Sequence, residues 1–157
     1  MARIIGIDPG SRVTGYGVID IDRGRLFFVA CGVVKTTPEY PFSIRLNEIF
    51  DGLNEVIQMH GPAVAAIEEV FLATNPRSAL KLGHARGAAV VAAMQNGLSV
   101  YDYSPRAIKQ AVVGYGQAAK EQVQHMVQVL LELSGSPSPD AADALAVAIC
   151  HANQFHP

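Results

Sequence analysis

The sequence predicts an α/β fold, a mixed five-stranded sheet flanked by helices, and three observations predict it. The chain opens with three apolar, β-rich segments separated by short turns, which is typical of an antiparallel meander. Two further strands then alternate with helical segments, and helices close the chain. The apolar run of the first strand alternates poorly, which indicates burial on both faces and a central place in the sheet. A length of 157 residues fits a single domain over residues 1–157.

The first half of the chain is predicted from turn chemistry and apolar spacing. Gly24 can take the positive φ that the turn Asp22-Arg23-Gly24 needs. Apolar residues at helical spacing predict a helix that Gly61 and Pro62 stop. The predicted elements are strands at 3–8, 14–20 and 25–34, a helix at 42–60 and a short buried strand at 63–68.

The second half is predicted mainly from helix caps. Asn75 before Pro76 is a typical N-cap followed by proline at the first helical position. Gly97 precedes the fifth strand, and Ser138 with Pro139 starts the last helix. The predicted elements are helices at 76–96, 105–113, 118–133 and 139–152, and a strand at 98–103.

Composition narrows the class of protein. Half of the residues are hydrophobic, which argues against a disordered chain. No apolar run reaches the roughly 18 residues of a membrane span, and the N-terminus lacks a signal-peptide layout, so we expect a cytoplasmic protein without membrane contact. Cys31 and Cys150 lie far apart without a metal-binding spacing and are expected to be free thiols. A net charge of −2 argues mildly against a nucleic-acid partner, but two bound divalent ions would reverse its sign.

Four carboxylates stand where one shared metal site would need them. Asp8 and Glu68 each end an apolar strand, and Asp140 and Asp143 open the last helix. An acid at the end of a buried strand is costly unless a cation or strong donors meet it. Each acid alone has a simpler explanation: Asp8 could cap a turn, Glu68 could be a solvated strand end, and Asp140 could be an ordinary first-turn acid.

The spacing of these acids suits two-metal phosphodiester hydrolysis. Asp140 and Asp143 are three residues apart, which places both on one helix face near the positive end of the helix dipole. Oxygen ligands favour Mg²⁺, with Mn²⁺ as a substitute, and two ions need several such ligands. One ion would activate water and the other would stabilise the leaving 3′ oxygen. The layout resembles the ribonuclease H-like fold, whose carboxylates come from the first strand, the fourth strand and the last helix.

Motifs along the chain resemble those of the RuvC family of Holliday junction resolvases, up to about residue 152. The matching motifs are Gly6-Ile7-Asp8-Pro9-Gly10-Ser11-Arg12-Val13-Thr14-Gly15-Tyr16-Gly17, Ala66-Ile67-Glu68-Glu69-Val70-Phe71, Ser78-Ala79-Leu80-Lys81-Leu82-Gly83, Val112-Val113-Gly114, Gln122-Val123-Gln124-His125-Met126-Val127 and Asp140-Ala141-Ala142-Asp143-Ala144-Leu145. The resemblance implies a Mg²⁺-dependent homodimer that nicks two opposing strands of a four-way DNA junction. It also implies cooperation with the RuvA and RuvB branch-migration proteins. Asp8, Glu68, Asp140 and Asp143 match the family's catalytic, metal-binding acids.

Candidate DNA-binding residues follow from the same resemblance and from charge spacing. The resemblance implies that Phe71 stacks on bases and that Lys109 and Lys120 lie near the scissile phosphate. Arg77 and Lys81 start a basic stripe on one helix face that continues to His84, with Arg86 and Arg106 as weaker candidates. The alternatives are a buried aromatic at Phe71 and an ordinary solvated helix face.

Four further points stay open at the level of sequence: a glycine pair, two alternative functions and a C-terminal tail. Gly83 and Gly87 suit either a dimer interface or close packing on the chain's own sheet. The glycine turn after Asp8 also occurs in actin-like ATPases, although this chain supplies only one of their two lobes. A junction-binding module without catalysis is the third hypothesis. Many relatives carry a further C-terminal tail, and if that tail aids DNA binding we expect this chain to bind more weakly.

Overall fold

The structure, a computed structural model, describes residues 1–69 and 75–154 and contains a five-stranded sheet with helices on both faces. The strand order is β3-β2-β1-β4-β5, which confirms the central place predicted for the first strand. The elements are β1 (Ala2–Asp8), β2 (Val13–Asp22), β3 (Arg25–Lys35), α1 (Phe42–His60), β4 (Val64–Glu68), α2 (Pro76–Gln95), β5 (Ser99–Tyr103), α3 (Pro105–Val113), α4 (Lys120–Leu130) and α5 (Pro139–Gln154). None of the helices in the described ranges has the length and apolar character needed to cross a membrane.

Strand direction brings particular chain ends to one edge of the sheet. β2 runs antiparallel to β1, and β3 runs antiparallel to β2. β4 runs parallel to β1, and β5 runs parallel to β4. The ends of β1, β3, β4 and β5 therefore share one edge with the start of β2. We call this the carboxyl edge.

The local signals in the sequence explain most element boundaries. Arg23 and Gly24 take φ values of 51° and 77°, as a tight two-residue hairpin turn requires. Gly61 ends α1 in the left-handed conformation, and its N–H donates to the carbonyl of Ile57. The side chain of Asn75 accepts a hydrogen bond from the Arg77 N–H at the start of α2. These findings confirm the predicted turn and caps.

The prediction for α4 was too long at both ends. The helix begins at Lys120 because Ala119 is extended, and the Ala119 N–H donates to the side chain of Gln122. It ends at Leu130 because Glu132 takes a φ of 53°, a conformation that no helix continues. Apolar spacing alone could not reveal either stop, since Leu131 and Leu133 keep the helical period.

Strand alternation divides the core into two layers. On β1, Ile4 packs with α3, α4 and α5, whereas Ile5 and Ile7 pack with α1 and α2. On β4, Ala66 belongs to the α5 layer and Ile67 to the opposite layer. Because successive strand residues alternate in direction, Asp8 and Glu68 both fall on the α5 face.

Glycines let α5 lie directly on the backbone of β1 and β2. A Cβ added to Gly6 would lie 2.0 Å from the Ala144 carbonyl oxygen. A Cβ at Gly15 would lie 2.0 Å from the Asp140 carbonyl oxygen, and one at Gly17 would meet Leu145 at 2.6 Å. Gly6 and Gly17 are cross-strand partners in the β1–β2 register. The three glycines thus form a contact that no other residue type permits, and we call it the glycine seam.

We expect Gly6→Ala to destabilise the fold because the added methyl group collides with the α5 backbone. The free energy of unfolding should fall by about 1–3 kcal/mol, as for overpacked cores, in urea denaturation. Gly135→Ala is the matched control, since a Cβ at Gly135 meets nothing within 4 Å. That control should change stability by no more than about 0.5 kcal/mol. Equal stability of the two variants would contradict a tight glycine seam.

Candidate active site

Asp8 and Glu68 meet at the carboxyl edge because two parallel strands end there. β1 and β4 are neighbours with Ile7 opposite Ile67, so the next residue of each strand is an acid. Both side chains are half-buried and lie on the α5 face of the sheet. The strand register alone therefore brings the two carboxylates together.

Asp140 and Asp143 come to the same place through the start of α5. The Ser138 hydroxyl accepts a hydrogen bond from the Ala141 N–H, which fixes the first turn. The backbone of Asp140 rests on Gly15, and Gly15 is the cross-strand partner of Asp8. The first turn of α5 thus lies directly beside Asp8, and the three-residue spacing aims Asp143 in a similar direction.

The four acids interact electrostatically, and the pKa of Asp8 is changed most. Burial, followed by the charges of Glu68, Asp143 and Asp140, raises the pKa of Asp8 to about 8. The pKa values of Glu68 and Asp143 are also raised, chiefly by burial. A cluster of partly buried carboxylates that disfavours its own charge is a place where a cation would be stabilised.

Two lysines face this cluster. The Nζ atom of Lys120 lies 3.4 Å from an Oδ of Asp143, and this acid raises the lysine's pKa more than any other group does. Lys120 and Lys109 both lower the pKa of Glu68, which places Lys109 near the same acid. Together with Glu68 and Asp143 they line a cleft of about 230 Å³. The structure therefore brings six predicted site residues together: Asp8, Glu68, Lys109, Lys120, Asp140 and Asp143.

The acids offer the right donor type for a metal, but their arrangement alone does not define one. Within residues 1–69 and 75–154, no three His, Cys, Asp or Glu side chains lie together in a group that could hold an ion. The donors are all oxygens, which suits hard cations such as Mg²⁺. The turn after Asp8 takes its hydrogen bonds from Thr14, Thr36 and Arg45 among the described residues. A turn-capping role for Asp8 therefore has no support.

The other predicted DNA contacts lie elsewhere or outside the described residues. Phe71 belongs to the segment 70–74, which lies outside the described residues. Arg77 and Lys81 are exposed on α2 and do not line the cleft, and the Nζ of Lys81 lies 6.0 Å from the Phe42 ring. Arg86 forms a salt bridge with Asp102. Arg77 and Lys81 therefore lie on an exposed helix face as predicted, but this face is separate from the acids.

Two residues of the site's support escaped the sequence interpretation. Tyr103 ends β5 directly opposite Glu68, and its hydroxyl lies 2.7 Å from Nδ1 of the buried His151 on α5. This hydrogen bond fastens the strand beside Glu68 to the helix that bears Asp140 and Asp143. Only the alternation of Tyr101 and Tyr103 hinted at it, because the partner is 48 residues away.

A mixed sheet with acids from two adjacent strands and the last helix, facing a lysine-lined cleft, defines a nuclease of the ribonuclease H-like class. The sequence model of the family described as crossover junction endodeoxyribonuclease RuvC matches residues 4–151. This chain therefore belongs to the RuvC family. Nucleases of this family are generally metal-dependent. Membership decides against the ATPase-lobe hypothesis and against a binding module without catalysis.

Individual relatives agree with the family match. RuvC of Acinetobacter baumannii is 57% identical over 154 residues, covering 98% of this chain and 84% of that protein. RuvC of Tolumonas auensis is 54% identical over 153 residues, covering 98% and 88%. The structure of Thermus thermophilus RuvC in complex with a Holliday junction substrate is 40% identical, with a TM-score of 0.91 over 97% of this chain and 93% of that one. The yeast mitochondrial Holliday junction resolvase Ydc2, at 11% identity and a TM-score of 0.67, shares the fold.

We expect Asp8→Asn to stabilise the metal-free protein at pH 8. A carboxyl group whose folded pKa of about 8 exceeds its ordinary value of 3.8 stabilises the fold fully at low pH. That contribution is lost as the pH rises from about 4 to about 8. In EDTA, the variant's free energy of unfolding at pH 8 should exceed that of the wild type by at least about 1.4 kcal/mol, the worth of one pKa unit.

Urea denaturation at pH 5, 6.5 and 8 checks this expectation. Asp51→Asn is the control because it removes an acid from the exposed face of α1. The control should follow the wild-type pH profile. An Asp8→Asn profile that declines as steeply as the wild type would show that neither burial nor the neighbouring acids raise the pKa of Asp8.

Proposed function

We propose that this protein resolves four-way (Holliday) DNA junctions by metal-dependent, symmetric nicking of two opposing strands. The observation that carries the proposal is the cleft in which Glu68 and Asp143 face Lys109 and Lys120. Phosphodiester hydrolysis needs both signs of charge there, acids for a cation and lysines for the phosphate. The similarity to a Thermus RuvC solved with a Holliday junction substrate supports a junction as the DNA form.

The proposed metal ligands are Asp8, Glu68, Asp140 and Asp143, with two Mg²⁺ ions and Mn²⁺ as a substitute. When bound, the ions supply Lewis-acid activation of water and neutralise charge on the leaving 3′ oxygen. The protein's own part is to hold the carboxylates on rigid elements. Two of these acids end strands, and the other two are set by the glycine seam.

The lysines are proposed to bind and orient the scissile phosphate. Lys120 is 61% exposed at its side chain while its amine pairs with Asp143, so it can reach the phosphate without leaving the acids. Lys109 projects from α3 into the same cleft. Phe71 is proposed to stack on bases at the junction centre, and Arg77 and Lys81 to contact the DNA arms from the exposed start of α2.

A C₂ homodimer is proposed because one acid cluster makes one nick and resolution needs two. On α2, Leu80, Gly83, Gly87, Val91 and Met94 recur at intervals of three or four residues, and we call them the apolar stripe. Leu80, Val91 and Met94 are 65%, 49% and 58% exposed. A Cβ added to Gly83 or Gly87 meets nothing within 4 Å, so these glycines do not serve packing on the chain's own sheet. A second copy of α2 would cover the stripe, and the glycines would permit close approach.

We propose a single domain that works in the cytoplasm with RuvA and RuvB. Both core layers share the one sheet, which supports a single folding unit. Cys31 and Cys150 are free thiols, which is typical of a reducing compartment. Membership of the RuvC family supports the partnership with the branch-migration proteins.

Asp140→Asn should abolish nicking of a synthetic four-way junction in Mg²⁺. Loss of one ligand removes several kcal/mol of charge stabilisation, so we expect the rate to fall by about 100-fold or more. Denaturing gels of end-labelled strands measure the nicks, and EDTA should stop cleavage by the wild type. Asp51→Asn serves again as the exposed control and should cleave like the wild type. Equal cleavage of the matching linear duplex by the wild type would contradict junction selectivity.

Val91→Glu should weaken dimerisation and uncouple the two nicks. Burying an unpaired carboxylate in each half of the interface costs about 2 kcal/mol or more, so the dimer dissociation constant should rise at least about 10-fold. Sedimentation measures the dimer, and the ratio of paired to single nicks measures coupling.

Val129→Glu on α4 is the matched control, since Val129 is 52% exposed and lies outside the apolar stripe. Its dimer should be unchanged. Paired nicking by a Val91→Glu protein that sediments as a monomer would refute the role of the dimer.

A further inference from the structure

The carboxyl edge carries basic residues on both sides of the acids, and the lysines of the cleft account for only one side. Along this edge the strands follow in the order β3, β2, β1, β4 and β5. Lys109 and Lys120 lie beyond β4, with α3 and α4. On the other side, Lys35 ends β3 and Arg12 immediately precedes β2. Lys35 is the cross-strand partner of Val13, and the Thr36 N–H donates to the Arg12 carbonyl, so the backbones of Arg12 and Lys35 lie one residue apart across the two strands.

The loop that presents Arg12 is held by its surroundings. The Ser11 carbonyl accepts hydrogen bonds from the Thr36 hydroxyl at 2.8 Å and from Arg45 Nη2 at 2.8 Å. The Arg12 carbonyl accepts from the Thr36 N–H at 3.0 Å. Gly10 is bonded to the Thr14 hydroxyl through both its N–H and its carbonyl. The backbone at Arg12 is therefore fixed relative to Asp8.

The charges of Arg12 and Lys35 are not paired within the described part of the chain. Arg12 and Lys35 are exposed, and neither forms an ion pair with a residue of 1–69 or 75–154. Arg45, the third cation in this region, is different because its guanidinium group donates hydrogen bonds to the Ser11 carbonyl and the Thr36 hydroxyl. A held loop that carries an exposed arginine, one residue away from an exposed lysine across the strand pair, is suited to binding an external anion.

Distance relates this pair of cations to the acids. Neighbouring strands lie about 4.8 Å apart, so the end of β3 is about 10 Å from the end of β1 along the edge. Each strand of a duplex rises about 3.4 Å per nucleotide, so about 10 Å corresponds to roughly three nucleotides. A strand that crosses the acids would therefore bring a nearby phosphate to Arg12 and Lys35.

We propose that Arg12 and Lys35 form a second phosphate-binding patch, which holds the DNA strand on the side of the acids opposite Lys109 and Lys120. The inference rests on the proposed function for the identity of the DNA, and it adds where the strand runs. Phosphates bound on both sides would fix the scissile bond between the acids, whereas cations on one side would leave the strand free to pivot.

The test is the salt dependence of DNA binding by Arg12→Gln, Lys35→Gln and the double variant. Affinity for a four-way junction and for a linear duplex is measured in Ca²⁺ at salt concentrations from about 50 to about 200 mM. Denaturing gels verify that the DNA strands stay intact during the measurement. Each lost phosphate contact should reduce the slope of log affinity against log salt by about 0.9. In the double variant, the slope should fall by about twice that amount.

Two controls separate a phosphate contact from a damaged loop. Arg12→Lys keeps the charge and should keep the wild-type slope. Arg23→Asn removes one charge from the exposed hairpin turn at the opposite edge of the sheet, with a residue that tolerates its positive φ, and should also keep the slope. An unchanged slope in the double variant would overturn the proposal, and so would weaker binding with the wild-type slope.

Failure of the proposed function would look different. A wild type that binds junction and duplex alike, and nicks neither in Mg²⁺, would overturn the resolvase proposal. The slope comparison on the linear duplex would still decide the patch, because phosphate contacts do not depend on DNA form.

Discussion

The contact between the α5 backbone and the glycine seam is the constraint on which the rest of the structure depends. Gly6 and Gly15 let backbone atoms of α5 lie on the strands, and Gly17 leaves room for the Leu145 side chain, so these three positions set how closely the helix approaches the sheet. Two of the four acids belong to this helix, and the other two belong to the strands at or beside the seam. The geometry of the cluster thus follows from close packing between regular elements of the core.

Electrostatic repulsion among the acids opposes the arrangement that packing imposes on them. The seam and the parallel strands force carboxylates together, and burial penalises their charge, most of all at Asp8. Lys120 offsets part of this through its pair with Asp143. The hydrogen bond between Tyr103 and His151 links β5 to α5 and so opposes a shift of the helix that would relieve this repulsion.

Most of the fold and the six residues that meet at the carboxyl edge could be predicted from the sequence, the two lysines among them through the family resemblance. Strand alternation, caps and the ends of apolar runs are local signals, and they sufficed for Asp8, Glu68 and every element type. The pairing of Tyr103 with His151 and the contact of Gly15 with Asp140 join residues distant in sequence, which no local pattern contains. Arg77 and Lys81 show the reverse case: their spacing indicated a basic helix face correctly, but spacing does not say where in the molecule that face lies.

The hairpin turn at Arg23 and Gly24 lies apart from the part of the molecule that bears the acids. It lies at the edge of the sheet opposite the acids, at the far end of β2 from Asp8 and Arg12. Neither native cysteine is exposed, because Cys31 is half-buried and Cys150 is buried. A thiol introduced by Arg25→Cys, at an exposed position next to this turn, would therefore accept a fluorophore selectively. Position 25 is therefore a suitable attachment point for single-molecule imaging, remote from the surface proposed to bind DNA.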